Sequence, residues 1–213
     1  MRIHFDDQLE QLNKDMIDMG SLIEKAIGMA VEALIQQDVE KSRKAMEFDD
    51  EVDRKYRDIE GLCLRLLLHQ QPVATDLRTI SAALKMITDM ERIGDHATDI
   101  SELAIALSEK ESIEQFTHIE QMAKETMLML IHGVEAYVEQ DYDKAVQVIN
   151  NDDVIDDLFC KVRDEIINVI QSKPEVASQA ADLLMAAKYF ERIGDHATNI
   201  AEWVIFSITG NKE

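Results

Sequence analysis

The sequence predicts an all-α protein made of two tandem three-helix bundles, and three observations predict it. The stretch Glu-Arg-Ile-Gly-Asp-His-Ala-Thr occurs twice, from Glu91 and from Glu191, a spacing of 100 in a chain of 213 residues. Identity over eight residues at one fixed spacing marks duplication of a structural unit. Composition excludes a β fold: seven Gly and two Pro leave little turn chemistry, and the helix formers Ala, Leu, Met, Glu and Lys dominate. Apolar residues recur at steps of three and four through long segments, the period of an amphipathic helix.

The helices follow in order. Leu9, Leu12, Met16, Met19, Ile23, Ile27, Ala30 and Leu34 set the first, from Asp6 to about Gln37. The pattern breaks at Gln37-Asp38. It resumes with Phe48, Val52, Ile59, Leu62 and Leu66, up to His69-Gln70-Gln71. Pro72 then interrupts, since proline removes a helical donor and biases its predecessor away from helix. The third helix is predicted from Val73 or Thr75 to Ser108. Residues 133–156 align with 30–53 at an offset of 103. Nine of these 24 positions match: Val31, Glu32, Ala33, Gln37, Asp38, Lys41, Asp49, Asp50 and Asp53. At the final helix the offset is 100, so the connection holding Pro174 is three residues shorter than its counterpart. Helices are therefore predicted over 115–139, 142–171 and 175–208, and the repeats over 1–110 and 111–213. An apolar content of 46% suffices to fill the core of such a bundle.

Charge restricts function. Lys plus Arg number 22 against 43 Asp plus Glu, a formal net charge of -21. Such a surface repels nucleic acid and anionic lipid, and it attracts cations and basic protein surfaces. Cys63 and Cys160 have no Cys-x-x-Cys partner, which suits a reducing cytoplasm and disfavours a zinc-thiolate site. Each is expected as a small core residue. No apolar run approaches the roughly 18 residues of a membrane span, and the first ten residues are too acidic for a signal peptide. A soluble protein is expected, reaching a membrane only through partners.

At 100° per residue, Glu91, Asp95, Thr98 and Glu102 share one narrow stripe. Ile93, Ala97, Ile100 and Ala104 share the opposite, core-facing side. Glu191, Asp195 and Glu202 oppose Ile193, Ala197, Ile200 and Val204 in the same way. The second helix carries Asp49, Asp53 and Glu60 on one face, and the fifth carries Asp152 and Asp156. Antiparallel neighbours would set these stripes side by side, so each half presents at least four carboxylates along an outward groove.

A solvated acidic face is the plain alternative. In the first half it is helped by Arg54, Lys55 and Arg57, within one turn of Asp50, Glu51 and Asp53. In the second, Asp156 follows Asp152 and Asp157 follows Asp153 at four residues, a repulsion of about 0.2–0.5 kcal/mol per pair. Clustered carboxylates without thiolates suit hard or borderline cations: magnesium, calcium, manganese or iron.

His96 and His196 lie about 140° from the acid stripe, so a supporting hydrogen bond or a core-edge contact fits each better than direct ligation. Gly94 and Gly194, mid-helix, predict close approach of a neighbouring backbone. Arg92 and Arg192 are placed to neutralise an adjacent acid. The 11 methionines read as core filler.

The doubled Glu-Arg-Ile-Gly-Asp-His-Ala stretch, with Asp49-x-x-x-Asp53, Asp152-x-x-x-Asp156 and Pro72-Val-Ala-Thr-Asp-Leu-Arg78, resembles the PhoU family over essentially the whole chain. The resemblance implies two tandem three-helix bundles and a non-enzymatic accessory protein of a phosphate ABC transporter. It implies negative regulation of phosphate uptake and of the phosphate-starvation response, through the transporter ATPase and a phosphate sensor histidine kinase. A cytoplasmic homodimer is expected, peripheral at the inner face of the membrane through those partners. The resemblance further implies metal ions (Fe, Mn, Mg or Zn) on Asp49, Asp53, Glu91, Asp95, Asp152, Asp156, Glu191 and Asp195. The halves differ at Asp99 against Asn199, and the sixth helix opens without the Asp-Leu-Arg of Asp76 to Arg78, so unequal metal loading is expected. The competing readings are a carboxylate-bridged metal enzyme, a ferroxidase or a phosphatase, and a helical adaptor without metal. No nucleophile with a matching base supports the enzyme.

Overall fold

The computed structural model describes residues 2–69, 73–109 and 117–211. Six long helices make up the described residues, which contain no strand: α1 (Arg2–Gln36), α2 (Val39–His69), α3 (Ala74–Ser108), α4 (Thr117–Glu139), α5 (Tyr142–Ser172) and α6 (Ala177–Thr209). The expectation that Pro72 breaks the chain between α2 and α3, and the 110/111 division, lie outside the described residues. Two boundaries move for local reasons. Helix α1 begins ahead of Asp6 because Phe5, itself buried, extends the apolar stripe by one turn. Helix α6 starts at Ala177 because Pro174–Val176 first forms a 3-10 turn with the proline at its head.

Each half packs its three helices against one another, and the halves join along α3 on α6 and α1 on α4. The buried apolar residues of all six helices form one continuous core. Polar ties cross between halves: the buried Tyr137 hydroxyl donates to the Thr79 carbonyl (3.2 Å), Arg78 Nε donates to the Ser207 carbonyl (3.4 Å), and Asp89 meets His196 and Asn199. Asp89 pairs with residues 196 and 199 while His96 stacks near residue 189, so α3 and α6 run antiparallel.

The matched positions at offset 103 explain the two tight helical corners. Gln37 (φ 52°) and Gln140 (φ 53°) adopt the left-handed conformation that ends α1 and α4. The next amides turn back, Asp38 N–H to the Ala33 carbonyl (3.1 Å) and Asp141 N–H to the Ala136 carbonyl (2.9 Å), closing a Schellman motif. Asp38 Oδ1 then accepts from the Glu40 and Lys41 amides, and Asp141 Oδ1 from the Lys144 amide, capping α2 and α5. Lys41 reaches Glu32 (2.7 Å) and Lys144 reaches Glu135 (3.1 Å), clasping each corner. Asp38→Ala or Asp141→Ala is expected to cost about 1 kcal/mol. In a chain of this size that is a fall in Tm of about 2–4 °C by calorimetry.

Four sequence expectations are corrected. Cys63 is buried, as expected, and burial pushes its thiol up to about 12. Cys160 is exposed, because it lies on the outer face of α5, away from the buried Ile155, Leu158 and Val162. Lys55 does not neutralise its own helix; it bridges to Asp15 and Asp18 of α1, both at 2.9 Å. The glycines face side chains rather than backbone. A Cβ at Gly94 would stand 3.3 Å from Val52 Cγ1, and one at Gly194 3.3 Å from Ile155 Cγ2. Most methionines that fill the seams are fully buried, Met16, Met19, Met86 and Met90 among them, but Met185 is exposed.

Candidate functional site

Two antiparallel helix pairs build two grooves. Val52 and Ile59 of α2, with Ile93, Ala97, Ile100 and Ala104 of α3, are buried, which fixes the rotation of both helices. That rotation aims Asp49 and Asp53 toward Glu91 and Asp95. Gly94 leaves room for Val52 beneath them, so the two acidic rows come together. The same packing, through Ile155, Ile193 and Gly194, joins Asp152 and Asp156 to Glu191 and Asp195. At Gly194 an added Cβ would also stand 3.4 Å from Asp152 Oδ1.

All eight sequence-predicted residues therefore gather into two clusters of four. They are less open than expected: they line the crevice between helices, and most are half-buried. Burial pushes the Asp49 carboxyl above its usual range, and the neighbouring Asp95 and Asp53 charges push it further. Thr98, whose hydroxyl donates to Asp49 Oδ1 at 3.5 Å, opposes the rise. Glu91 is raised by burial, Asp95 and Asp53, against Arg92. In the second groove Asp152 is raised by burial, Asp195 and Asp156, and Asp195 by burial and Glu191 against Lys188. Thr198 occupies the place of Thr98. Its buried hydroxyl has no formed hydrogen bond, yet it stands near enough to Asp152 to favour the carboxylate.

Internal cations neutralise part of each cluster. Arg92 pairs with Asp95 at 3.0 Å, and Arg57 approaches Asp53 at 4.0 Å. Arg192 does not repeat Arg92; its guanidinium lies over the Tyr189 ring, 5.7 Å from the centroid. Lys188 pairs with Glu191 instead. Asp49, Glu91, Asp152, Asp156 and Asp195 have no ion pair among the described residues. Hard oxygen donors that repel one another in a half-dry crevice fit the chemistry of a hard or borderline cation. Among the described residues no three His, Cys, Asp or Glu side chains converge as a ready-made cage.

The histidines belong elsewhere, on the seam between α3 and α6. His196 Nδ1 lies 2.9 Å from Asp89 Oδ1, which also accepts from Asn199 Nδ2 at 3.2 Å. His96 Nδ1 lies 3.1 Å from Asp99 Oδ2, and its ring stacks on Tyr189 with centroids 5.4 Å apart. Burial holds the His96 pKa below the usual imidazole value, against the pull of Asp99. The difference between Asp99 and Asn199 thus concerns the seam. Lys188 went unnoticed in the sequence, although its spacing of three from Glu191 is that of an intrahelical ion pair. A cavity of about 210 Å³ lies apart from both grooves, between α4 and α5, lined by Glu125, His132, Gln147 and Asn151 among others.

Comparison with known proteins agrees with this architecture. The model of the PhoU domain matches twice, over residues 16–104 and 119–204. A phosphate-specific transport system accessory protein PhoU homolog from Clostridium acetobutylicum is 36% identical over 209 residues, 98% of this chain and 95% of that protein. A Pseudomonas aeruginosa homolog of the same name is 33% identical, over 97% of this chain and 86% of its own. The crystal structure of PhoU from Pseudomonas aeruginosa superposes with a TM-score of 0.91 at 33% identity, covering 97% of this chain and 100% of that one. The phosphate transport system regulatory protein PhoU from Streptococcus pneumoniae gives 0.90 at 26% identity, covering 98% and 99%.

Proposed function

The chain belongs to the PhoU family, and from that premise we propose that it is a non-enzymatic accessory protein of a phosphate transport system. In this reading it restrains phosphate uptake and the phosphate-starvation response by contacting the transporter ATPase and a sensor histidine kinase as a homodimer. Among the described residues no helix is long and apolar enough to cross a membrane, and in this reading the chain reaches the cytoplasmic side of the transporter through its partners. The net charge of -21 favours basic docking surfaces on those partners. The observation that carries the role is the family match in both halves, with relatives of that name aligned over nearly the full chain.

The grooves are proposed to hold metal ions, on Asp49, Asp53, Glu91 and Asp95 and on Asp152, Asp156, Glu191 and Asp195. A bound cation would supply positive charge where the polypeptide leaves carboxylates facing one another. The residues' own part is to orient those oxygens, with Thr98 and Thr198 steadying Asp49 and Asp152.

The role is tested in a bacterium that lacks its own family member and expresses its starvation genes in high phosphate. Expression of this chain should silence those genes, and the charge-removing set Asp49→Asn, Glu91→Gln, Asp152→Asn and Glu191→Gln should lose that effect while remaining folded by circular dichroism. Continued starvation-gene expression with the unmodified chain, present at normal level, would refute the regulatory role. Multiple-turnover phosphatase or ferroxidase activity of the purified protein, lost in that same set, would favour the enzyme reading.

A further inference from the structure

The two grooves carry the same four acids but not the same internal cation. In the second, Lys188 Nζ contacts the Glu191 carboxylate one turn along α6. The same ammonium lies 5.4 Å from the centre of the Phe159 ring of α5, so the lysine is held by both helices that line the groove. Glu191 is largely withdrawn from water, its side chain 15% exposed. At the equivalent place in the first groove stands Thr88, exposed and turned back onto the Leu84 carbonyl of its own helix (3.5 Å). Glu91 is left without an ion pair among the described residues. The cations there are Arg92, on Asp95, in a pair whose side chains are 61% and 39% exposed, and Arg57, 4.0 Å from Asp53, in a pair whose side chains are 64% and 44% exposed.

From this asymmetry we propose that Lys188 is a built-in cation of the second groove, so that a divalent ion fills the first groove at lower concentration than the second. The inference rests on the metal reading above and adds an order of filling to it. A water-exposed pair such as Arg92–Asp95 contributes little and yields readily to an incoming ion. The Lys188 ammonium is gripped by a half-dry carboxylate and an aromatic face, both of which strengthen its hold. An ion entering the second groove must move Lys188 aside or bind beside a like charge. Lys188 also acts on Asp195, holding its carboxyl lower than burial and Glu191 alone would. The lysine therefore bears on both α6 acids of the groove.

Metal-free protein titrated with Mn²⁺, with the free ion followed by electron paramagnetic resonance, reads the order directly. The unmodified chain should show two steps about tenfold or more apart. Glu91→Gln should remove the tighter step and Glu191→Gln the weaker. Lys188→Thr, which copies Thr88, should tighten the weaker step about tenfold and bring the two together. Lys188→Met keeps the stem against Phe159 and removes only the charge, so it should do the same if Lys188→Thr disturbs packing. Thr88→Lys should weaken the tighter step. Two equal steps in the unmodified chain, or a weaker step unmoved by both Lys188 variants, overturn the proposal while leaving the metal reading intact. Absence of Mn²⁺ binding in every variant overturns both.

Discussion

Phe190→Ala is expected to destabilise the protein by about 3–5 kcal/mol, the usual cost of emptying a large buried aromatic site. Phe190 is fully buried in α6, the helix that packs on α3 across the seam and on α4 and α5 within its own half. All six helices feed one continuous core, so the cavity is felt in both halves. The loss should appear as a downward shift of a single calorimetric transition, on the order of 10 °C for a chain of this size. Two transitions, of which Phe190→Ala moves only one, would show that the halves fold as separate units. The identical stretches favour such independence; the continuous seam opposes it, and calorimetry chooses between them.

Divalent cation is expected to produce the second large effect. If Mn²⁺ binds the folded grooves and not the unfolded chain, a concentration of one hundred times its dissociation constant should add about 2.7 kcal/mol per site. The rise in Tm would be about 5–10 °C for each site filled to that degree. The raised carboxyls set the matching pH dependence in chelator. Asp49, Glu91, Asp152 and Asp195 all have folded pKa values above their unfolded ones. The folded state thus binds more protons than the unfolded, and stability falls as pH rises through the usual carboxylate range and beyond it. Those four groups should accordingly cost metal-free protein stability as pH rises from 4.5 to 5.5, below the range in which buried, neutral His96 adds it. Asp49→Asn with Asp152→Asn should reduce that loss and raise the Tm at pH 7.5. A Tm at pH 7.5 that is unchanged or lowered in Asp49→Asn with Asp152→Asn would mean the grooves bear no net repulsion.

These effects concern features that were legible in the chain to different degrees. The six helices were legible because each has an unbroken apolar stripe, from Leu12 to Leu34 in α1 and from Ile193 to Val204 in α6, and periodicity is a local property. The corners at Gln37-Asp38 and Gln140-Asp141 showed as breaks in that stripe. The eight carboxylates were legible as two faces per half because a helix carries its side chains at a fixed angle from its core side. Their degree of burial was not, since it depends on how closely Val52 and Ile155 let the helices approach at Gly94 and Gly194.

Pairing across helices lay beyond the linear pattern altogether. Lys55 sits among the acids of α2 in sequence, yet its long stem carries the charge to Asp15 and Asp18 of α1. Arg92 and Arg192 occupy identical octapeptides but take an acid in one half and an aromatic ring in the other, because position 189 is Tyr where position 89 is Asp. His96 and His196 meet Tyr189 and Asp89 only because α3 and α6 cross antiparallel at the centre of the molecule. Helix identity, duplication and the acid rows thus follow from short-range order in the chain. Which charge answers which, and how dry each groove becomes, follow from contacts between residues some 40 to 110 positions apart, whose geometry exists only once the helices have packed.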